Sequence, residues 1–157
     1  MIYKSYILEQ KINTILNYKM FLLYGENQGL KKDFKEKIQI ENKNIKVLRL
    51  FQEEIIKNKN LLTNEIINKS LFDEKKIIFI EQANDKILEV LDEIIENIEE
   101  EKIFIFAELL DKKSKLRAYF EKSKSCGVVA CYVDNEITIR NIITNSLNRY
   151  KGLTPQI

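Results

Sequence analysis

The sequence predicts an α/β domain, a five-stranded, mainly parallel sheet with helices on both faces. Three observations predict it. Four short runs, 19–25, 76–81, 102–107 and 127–133, are apolar almost throughout, as strands buried on both faces are, and a fifth, 45–51, alternates. Segments with apolar residues at helical spacing lie between them. The two kinds of segment alternate along nearly the whole chain, and strands joined through helices line up in parallel.

Taken in order, Leu8, Ile12, Ile15 and Leu16 mark a first helix, with Ser5 placed to cap it. "KMFLLYG" (19–25) is the first strand. "GLKKDFKEKI" sets Leu30, Phe34 and Ile38 on one helix face, with Leu30 expected to point into the core. "IKVLRLF" (45–51) is the second strand, residues 52–59 read as an irregular or partly helical link, and "NLLTNEIINK" (60–69) is a short helix. "KIIFIE" (76–81) is the third strand, and Ile87, Leu91, Ile94, Ile95 and Ile98 stripe the helix after it. "KIFIFA" (102–107) is the fourth strand. Leu116, Tyr119 and Phe120 mark a helix beginning after Ser114. "GVVACYV" (127–133) is the fifth strand, and Ile139, Ile142, Ile143, Ser146 and Leu147 mark a last helix. In such a sheet, sites form beyond the carboxyl ends of the strands, here loops 25–30, 52–60, 81–86 and 107–114.

Composition bounds the function. The 157 residues fit one domain, and 45% hydrophobic content is enough for a core. A net charge of +2, from 26 basic and 24 acidic residues, gives no global case for nucleic-acid binding. The absence of histidine excludes chemistry that needs imidazole. Cys126 and Cys131, an odd spacing apart, fall on opposite faces of a strand and make poor disulfide or metal partners. The N-terminus "MIYKSYILEQK" has no secretory apolar core, and no run reaches the ~20 residues of a membrane span. A cytoplasmic protein without metal or cofactor is expected.

The first strand leads through "GENQGLKK" into a helix, where a nucleotide-binding protein carries G-x-x-x-x-G-K-[ST]. The pattern is degenerate. Gly25 and Gly29 enclose only three residues, Leu30 stands where the phosphate lysine belongs, and no Ser or Thr follows. Lys31 and Lys32 therefore read as solvated residues. The third strand offers Glu81 with no adjacent second carboxylate, which disfavours nucleotide hydrolysis.

Ser70-Leu71-Phe72 raises a separate question, because two large apolar residues stand between polar ones just before a strand. On the residues alone, Leu71 and Phe72 either close a helix–strand corner or face a partner. The order of "FLLYGENQGLKKDF", "IKVLRLF", "SLFDEKKIIFIEQ", "IFIFAELLDKKSKLRAYFEK" and "VVACYVDNEITIRNIITNSL" resembles the delta subunits of bacterial DNA polymerase III, the clamp-loader subunits that open the sliding clamp. The resemblance implies an AAA+-like α/β domain over 1–136 that has lost its nucleotide site. It also implies that 137–157 begin a helical lid, truncated here. It implies no catalysis. Ser70, Leu71 and Phe72 would form the wedge that enters an apolar pocket on the clamp (the beta subunit). The other partners would be the ATPase subunits, delta prime and primed DNA, with Lys112, Lys113 and Lys115 as possible DNA contacts. A delta prime subunit itself would carry zinc-binding cysteines and a Ser-Arg-Cys motif, and neither occurs here.

Two other readings are a P-loop-type nucleotide-binding enzyme and a basic nucleic-acid-binding module. The second would rest on the lysines at 31, 32, 35, 37, 112, 113 and 115.

Overall fold

The computed structural model describes residues 1–67 and 75–147. They form a parallel sheet of six strands in the order β1-β6-β2-β5-β4-β3. The strands are β1 (Ile2–Tyr3), β2 (Met20–Tyr24), β3 (Lys46–Phe51), β4 (Lys76–Ala83), β5 (Lys102–Ala107) and β6 (Cys126–Ala130). The helices are α1 (Ser5–Gln10), α2 (Gln28–Glu41), α3 (Gln52–Lys57), α4 (Asn60–Ile67), α5 (Leu88–Ile94), α6 (Lys115–Lys122) and α7 (Glu136–Leu147).

The strand order explains the two cores. The β2–α2–β3 connection crosses to one edge of the sheet, whereas the connections from β3 through β6 step back the other way. Crossovers of one hand, run in opposite directions, put their helices on opposite faces. Accordingly, Leu8, Ile15, Phe34 and Ile38 pack with Phe21, Phe79, Phe104 and Phe106 on the α2 face. Ile55, Leu62, Ile87, Leu91, Leu116 and Phe120 pack with Leu22, Ile78 and Ile105 on the other. Gly127 is required by this packing, because a Cβ there would lie 2.4 Å from the Phe21 ring.

Four details differ from the sequence-based expectation. A sixth strand exists, because Ile2 and Tyr3 pair with Val128 and Val129 and the Met1 ammonium bonds the Cys126 carbonyl at 2.7 Å. Two residues are too few for any periodicity to reveal them. The first helix is shorter than its pattern: α1 ends at Gln10 and a 3₁₀ helix, Ile12–Asn17, continues it, and Ser5 lies inside α1 rather than capping it. Of the link expected to be irregular or partly helical, residues 52–57 are helical throughout and form α3, which buries Gln52 and Ile55. The acidic first turn of α3, Glu53 and Glu54, and Lys57 in its last turn suit the helix dipole. Leu30, expected in the core, is only half-buried against the α2-face core.

The two cysteines lie as their spacing predicts, Cys126 in one core and Cys131 in the other, both free and buried. No helix among the described residues is long and apolar enough to cross a membrane.

Candidate functional site at the carboxyl ends of the strands

The order reverses between β2 and β5, so their carboxyl ends form the crevice where α/β sheets place ligands. Gly25 follows β2 at φ +129°, and a Cβ there would come within 2.1 Å of the Cys131 carbonyl oxygen. Only glycine fits. Gly29 has no such role. It lies in the first turn of α2, and a Cβ on it would meet only the Asn27 Oδ1 at an ordinary 3.5 Å. The turn between β2 and α2 is thus Gly25-Glu26-Asn27, shorter than the loop that Gly25 and Gly29 suggest in the sequence.

Two of the three amides of this turn, and two at the start of α2, are already engaged. The Gly25 amide donates to the Glu108 carbonyl at 3.0 Å and the Asn27 amide to the Cys131 carbonyl at 3.0 Å. The Leu30 amide donates to the Asn27 side chain at 3.0 Å, and the Lys31 amide to the Asn27 carbonyl at 3.2 Å. Asn27 is itself held, with its Nδ2 donating to Asp134 at 2.9 Å and to the Tyr132 carbonyl at 3.2 Å. A phosphate cradle needs such amides free and converging.

Lys31 corrects the reading of a solvated lysine. It is 4% exposed, and its Nζ donates to the Gly25 carbonyl at 2.8 Å and to the Ala107 carbonyl at 2.9 Å. Its ammonium ties the end of β2 to the end of β5, inside the crevice. Burial holds it below the ordinary lysine range, opposed by Cys131, Glu108 and Glu81. Lys32 lies on the outer face and pairs loosely with Glu36 at 3.8 Å.

Glu81, the carboxylate on the third predicted strand, is neutralised. The Lys35 ammonium reaches both of its oxygens at 2.7 Å and sits 4.3 Å from the centre of the Phe106 ring. Beside this pair, the chain at Gln82 turns to φ +55° at an irregularity in β4. Gln28, Lys35, Phe51, Glu81, Gln82 and Phe106 line a hollow of about 290 Å³ here.

A third charge is likewise engaged at the N-terminus of α6. The Asp85 carboxylate accepts from the Ser114 hydroxyl at 2.6 Å, the Lys115 amide at 3.0 Å and the Leu116 amide at 3.1 Å. The Ser114 hydroxyl in turn accepts from the Arg117 amide at 3.2 Å, so Ser114 is the cap its position predicts. Burial alone would raise the Asp85 pKa, but these hydrogen bonds outweigh it and hold the carboxyl below its ordinary value. The side chains of Lys112, Lys113 and Lys115 are exposed around this turn. They remain accessible, whereas the amides of Lys115, Leu116 and Arg117 behind them are taken.

Sequence reasoning found Gly25 and Ser114 but missed Asn27, Lys35 and Asp85 as organisers. Asn27 carried a readable signal, an N-cap residue just before an apolar-periodic segment. The Asp85 contact with α6 spans 31 positions and leaves no local trace. Ser70, Leu71 and Phe72 lie outside the described residues. Among the described residues, no group of three His, Cys, Asp or Glu is arranged to hold a metal ion. No protein-family model matches the chain, and no curated protein matches it.

Proposed function

We propose that this chain is the AAA+-like domain of a non-catalytic, delta-type clamp-loader subunit acting in the cytoplasm. In this reading it binds the sliding clamp through Leu71 and Phe72, preceded by Ser70, and helps to open it. The observation that carries the reading is the internally neutralised crevice. Lys31 bonds two strand-end carbonyls and Lys35 pairs with Glu81, where a nucleotide enzyme would present a phosphate lysine and an unpaired metal-binding carboxylate. A sheet built around a β–turn–α phosphate-loop position, with that position filled from within, suits a subunit that works by binding while partner subunits hydrolyse ATP.

The wedge needs no bond chemistry. Burying each of Leu71 and Phe72 in a clamp pocket would contribute about 1.5–3 kcal/mol. The entropic cost of association offsets much of that, so binding is moderate and the two residues act as hot spots. Better fit to the sprung clamp interface would shift the closed–open balance. Delta prime, the ATPase subunits and primed DNA are the remaining partners in this reading.

The test is surface plasmon resonance with the immobilised cognate clamp. The parent chain binds, and the folded double variant Leu71→Ala/Phe72→Ala loses most of that binding. Equal binding by a folded double variant ends the proposal.

A further inference from the structure

After β6 the chain leaves the sheet by a narrow attachment. Residues 131–135 form neither helix nor strand and lead into α7. Every described side chain of α7 is exposed, Ile137, Ile139, Ile143 and Leu147 among them. Packing against the sheet therefore does not fix where this helix points. Burial does not hold the linker either, because Tyr132 is 49% and Val133 68% exposed. Within the linker only Cys131 is buried in the body of the domain. Its amide donates to the Tyr24 carbonyl at 2.6 Å, and its carbonyl accepts from the Asn27 amide at 3.0 Å.

Beyond Cys131, two residues of the body reach the linker by hydrogen bonds among the described residues. Asn27 makes the two closer ones, its Nδ2 donating to the Asp134 carboxylate at 2.9 Å and to the Tyr132 carbonyl at 3.2 Å. The third joins the Tyr24 and Tyr132 hydroxyls at a long 3.4 Å. Asp134 stands immediately before Asn135, whose side chain accepts from the Thr138 amide at 2.9 Å and caps α7. No slack separates the Asn27 contact from the helix. The contact also works against charge. Burial raises the pKa of Glu9 on α1, Lys37 opposes the rise, and the negative charges of Asp134 and Asp33 add to it. Asp134 thus stands within reach of a like charge, and the Asn27 amide is the donor that keeps it in place.

We infer that Asn27 and Asp134 form a latch. Closed, it fixes the direction in which α7 leaves the sheet; open, it lets α7 swing about residues 132–135. The turn between β2 and α2 then has a mechanical task, because the side chain that caps α2 with its oxygen holds the linker with its nitrogen. One hydrogen bond to a half-buried carboxylate is strong enough to favour the closed state and weak enough to open.

The latch does not depend on clamp binding, and its test leaves the clamp out. Pulsed dipolar spectroscopy reads the distance between nitroxides on Glu93→Cys in α5 and Asn141→Cys in α7, both exposed, in the full chain. Cys126 and Cys131 are buried and take no label. The chain with Asn27 and Asp134 intact is expected to give one narrow distance. Asn27→Asp keeps an acceptor for the Leu30 amide, and with it the cap of α2, but removes the donor and sets a second carboxylate against Asp134. It is expected to raise the ratio of displaced to original distances about tenfold, the worth of one hydrogen bond to a charged group. The exchanged pair, Asn27→Asp/Asp134→Asn, moves the donor to the linker and is expected to restore the narrow distance. The contact belongs to neither core, so both variants should melt close to the parent. If Asn27→Asp does not fold, Asp134→Ala removes the same bond from the linker side and is expected to broaden the distribution. A broad distribution with the latch intact overturns the inference. So does a narrow one in folded Asn27→Asp, or in Asp134→Ala where that variant stands in. Broadening that persists in the exchanged pair places the cause in a damaged turn and overturns it as well.

Discussion

The ammonium of Lys31 donates to the carbonyl of Ala107 across 76 positions of sequence, at 2.9 Å and in a buried position. A second bond from the same nitrogen reaches Gly25. In a parallel sheet the strand-end carbonyls converge on the crevice, and a ligand or water ordinarily satisfies them. Here a side chain does so. Lys31 is thereby turned inward to the backbone, where it holds the ends of β2 and β5 together.

Replacing Lys31 with Met keeps the chain length and removes both bonds. Two buried acceptors lose their donor, which at ordinary values destabilises the fold by about 1–3 kcal/mol. The pH dependence has a definite sign. The folded pKa lies below the ordinary 10.5, so between the two values the unfolded chain holds more protons. Stability from this group therefore rises with pH through that window and is smallest below the folded pKa. Urea titrations from neutral pH upward should show the gap between parent and Lys31→Met widening toward alkaline pH. A gap that stays constant would mean that Lys31 is not held as described.

The two glycines of the "GENQGLKK" stretch should respond oppositely to alanine. At Gly25 a methyl group collides with the Cys131 carbonyl at 2.1 Å, in a backbone conformation that alanine avoids. Gly25→Ala should cost several kcal/mol or prevent folding. At Gly29 the methyl group meets nothing closer than 3.5 Å, inside the first turn of a helix. Gly29→Ala should be neutral or stabilising by up to about 1 kcal/mol. Thermal melts of the two variants decide the matter, and a strongly destabilised Gly29→Ala would restore Gly29 to the turn.

What the sequence made legible follows from the range of each interaction. The strands from Met20, Lys76, Lys102 and Cys126 announce themselves because burial on both faces leaves few polar residues in them, and the edge strand from Lys46 announces itself by alternation. The opposite placement of Cys126 and Cys131 follows from the two-residue pleat. Gly25 is visible as the end of a strand. Lys31 is hidden because a lysine after a leucine on a helix's apolar face looks like any surface lysine, and only the sheet order brings Ala107 over it. Asp85 is obscured in the same way, since its partners belong to α6. The edge position of β3 depends on strand order, and no local pattern encodes order.

Asp85 should act as a borrowed cap for α6. Asp85→Ala removes acceptors from the Ser114 hydroxyl and two amides, at a cost of about 1 kcal/mol given the exposure of the site. Its folded pKa is depressed below the ordinary 3.8, so its contribution is present above that value and is lost as pH falls through the folded pKa. The stability difference between parent and Asp85→Ala should therefore close in strong acid. Chemical denaturation at neutral pH and near pH 3 measures it, and a difference that persists unchanged into acid would show that the carboxylate charge has no part in the cap.

Both thiols should be silent in the native protein. Burial raises the Cys131 pKa to about 12. Burial also raises that of Cys126, although hydrogen bonds with Ser123 and Ser125 and the nearby N-terminal ammonium pull it back. A protonated, enclosed thiol does not attack a disulfide reagent. With Ellman's reagent at mildly alkaline pH, neither cysteine should react until urea unfolds the chain, and both should then appear together. Because they belong to opposite cores, mild oxidation should leave the chain without an internal disulfide. If Gly25→Ala folds, it should release Cys131 ahead of Cys126, because the added methyl pushes on the Cys131 carbonyl. Release of Cys126 first in that variant would locate the weak point at β6 rather than at the turn after β2.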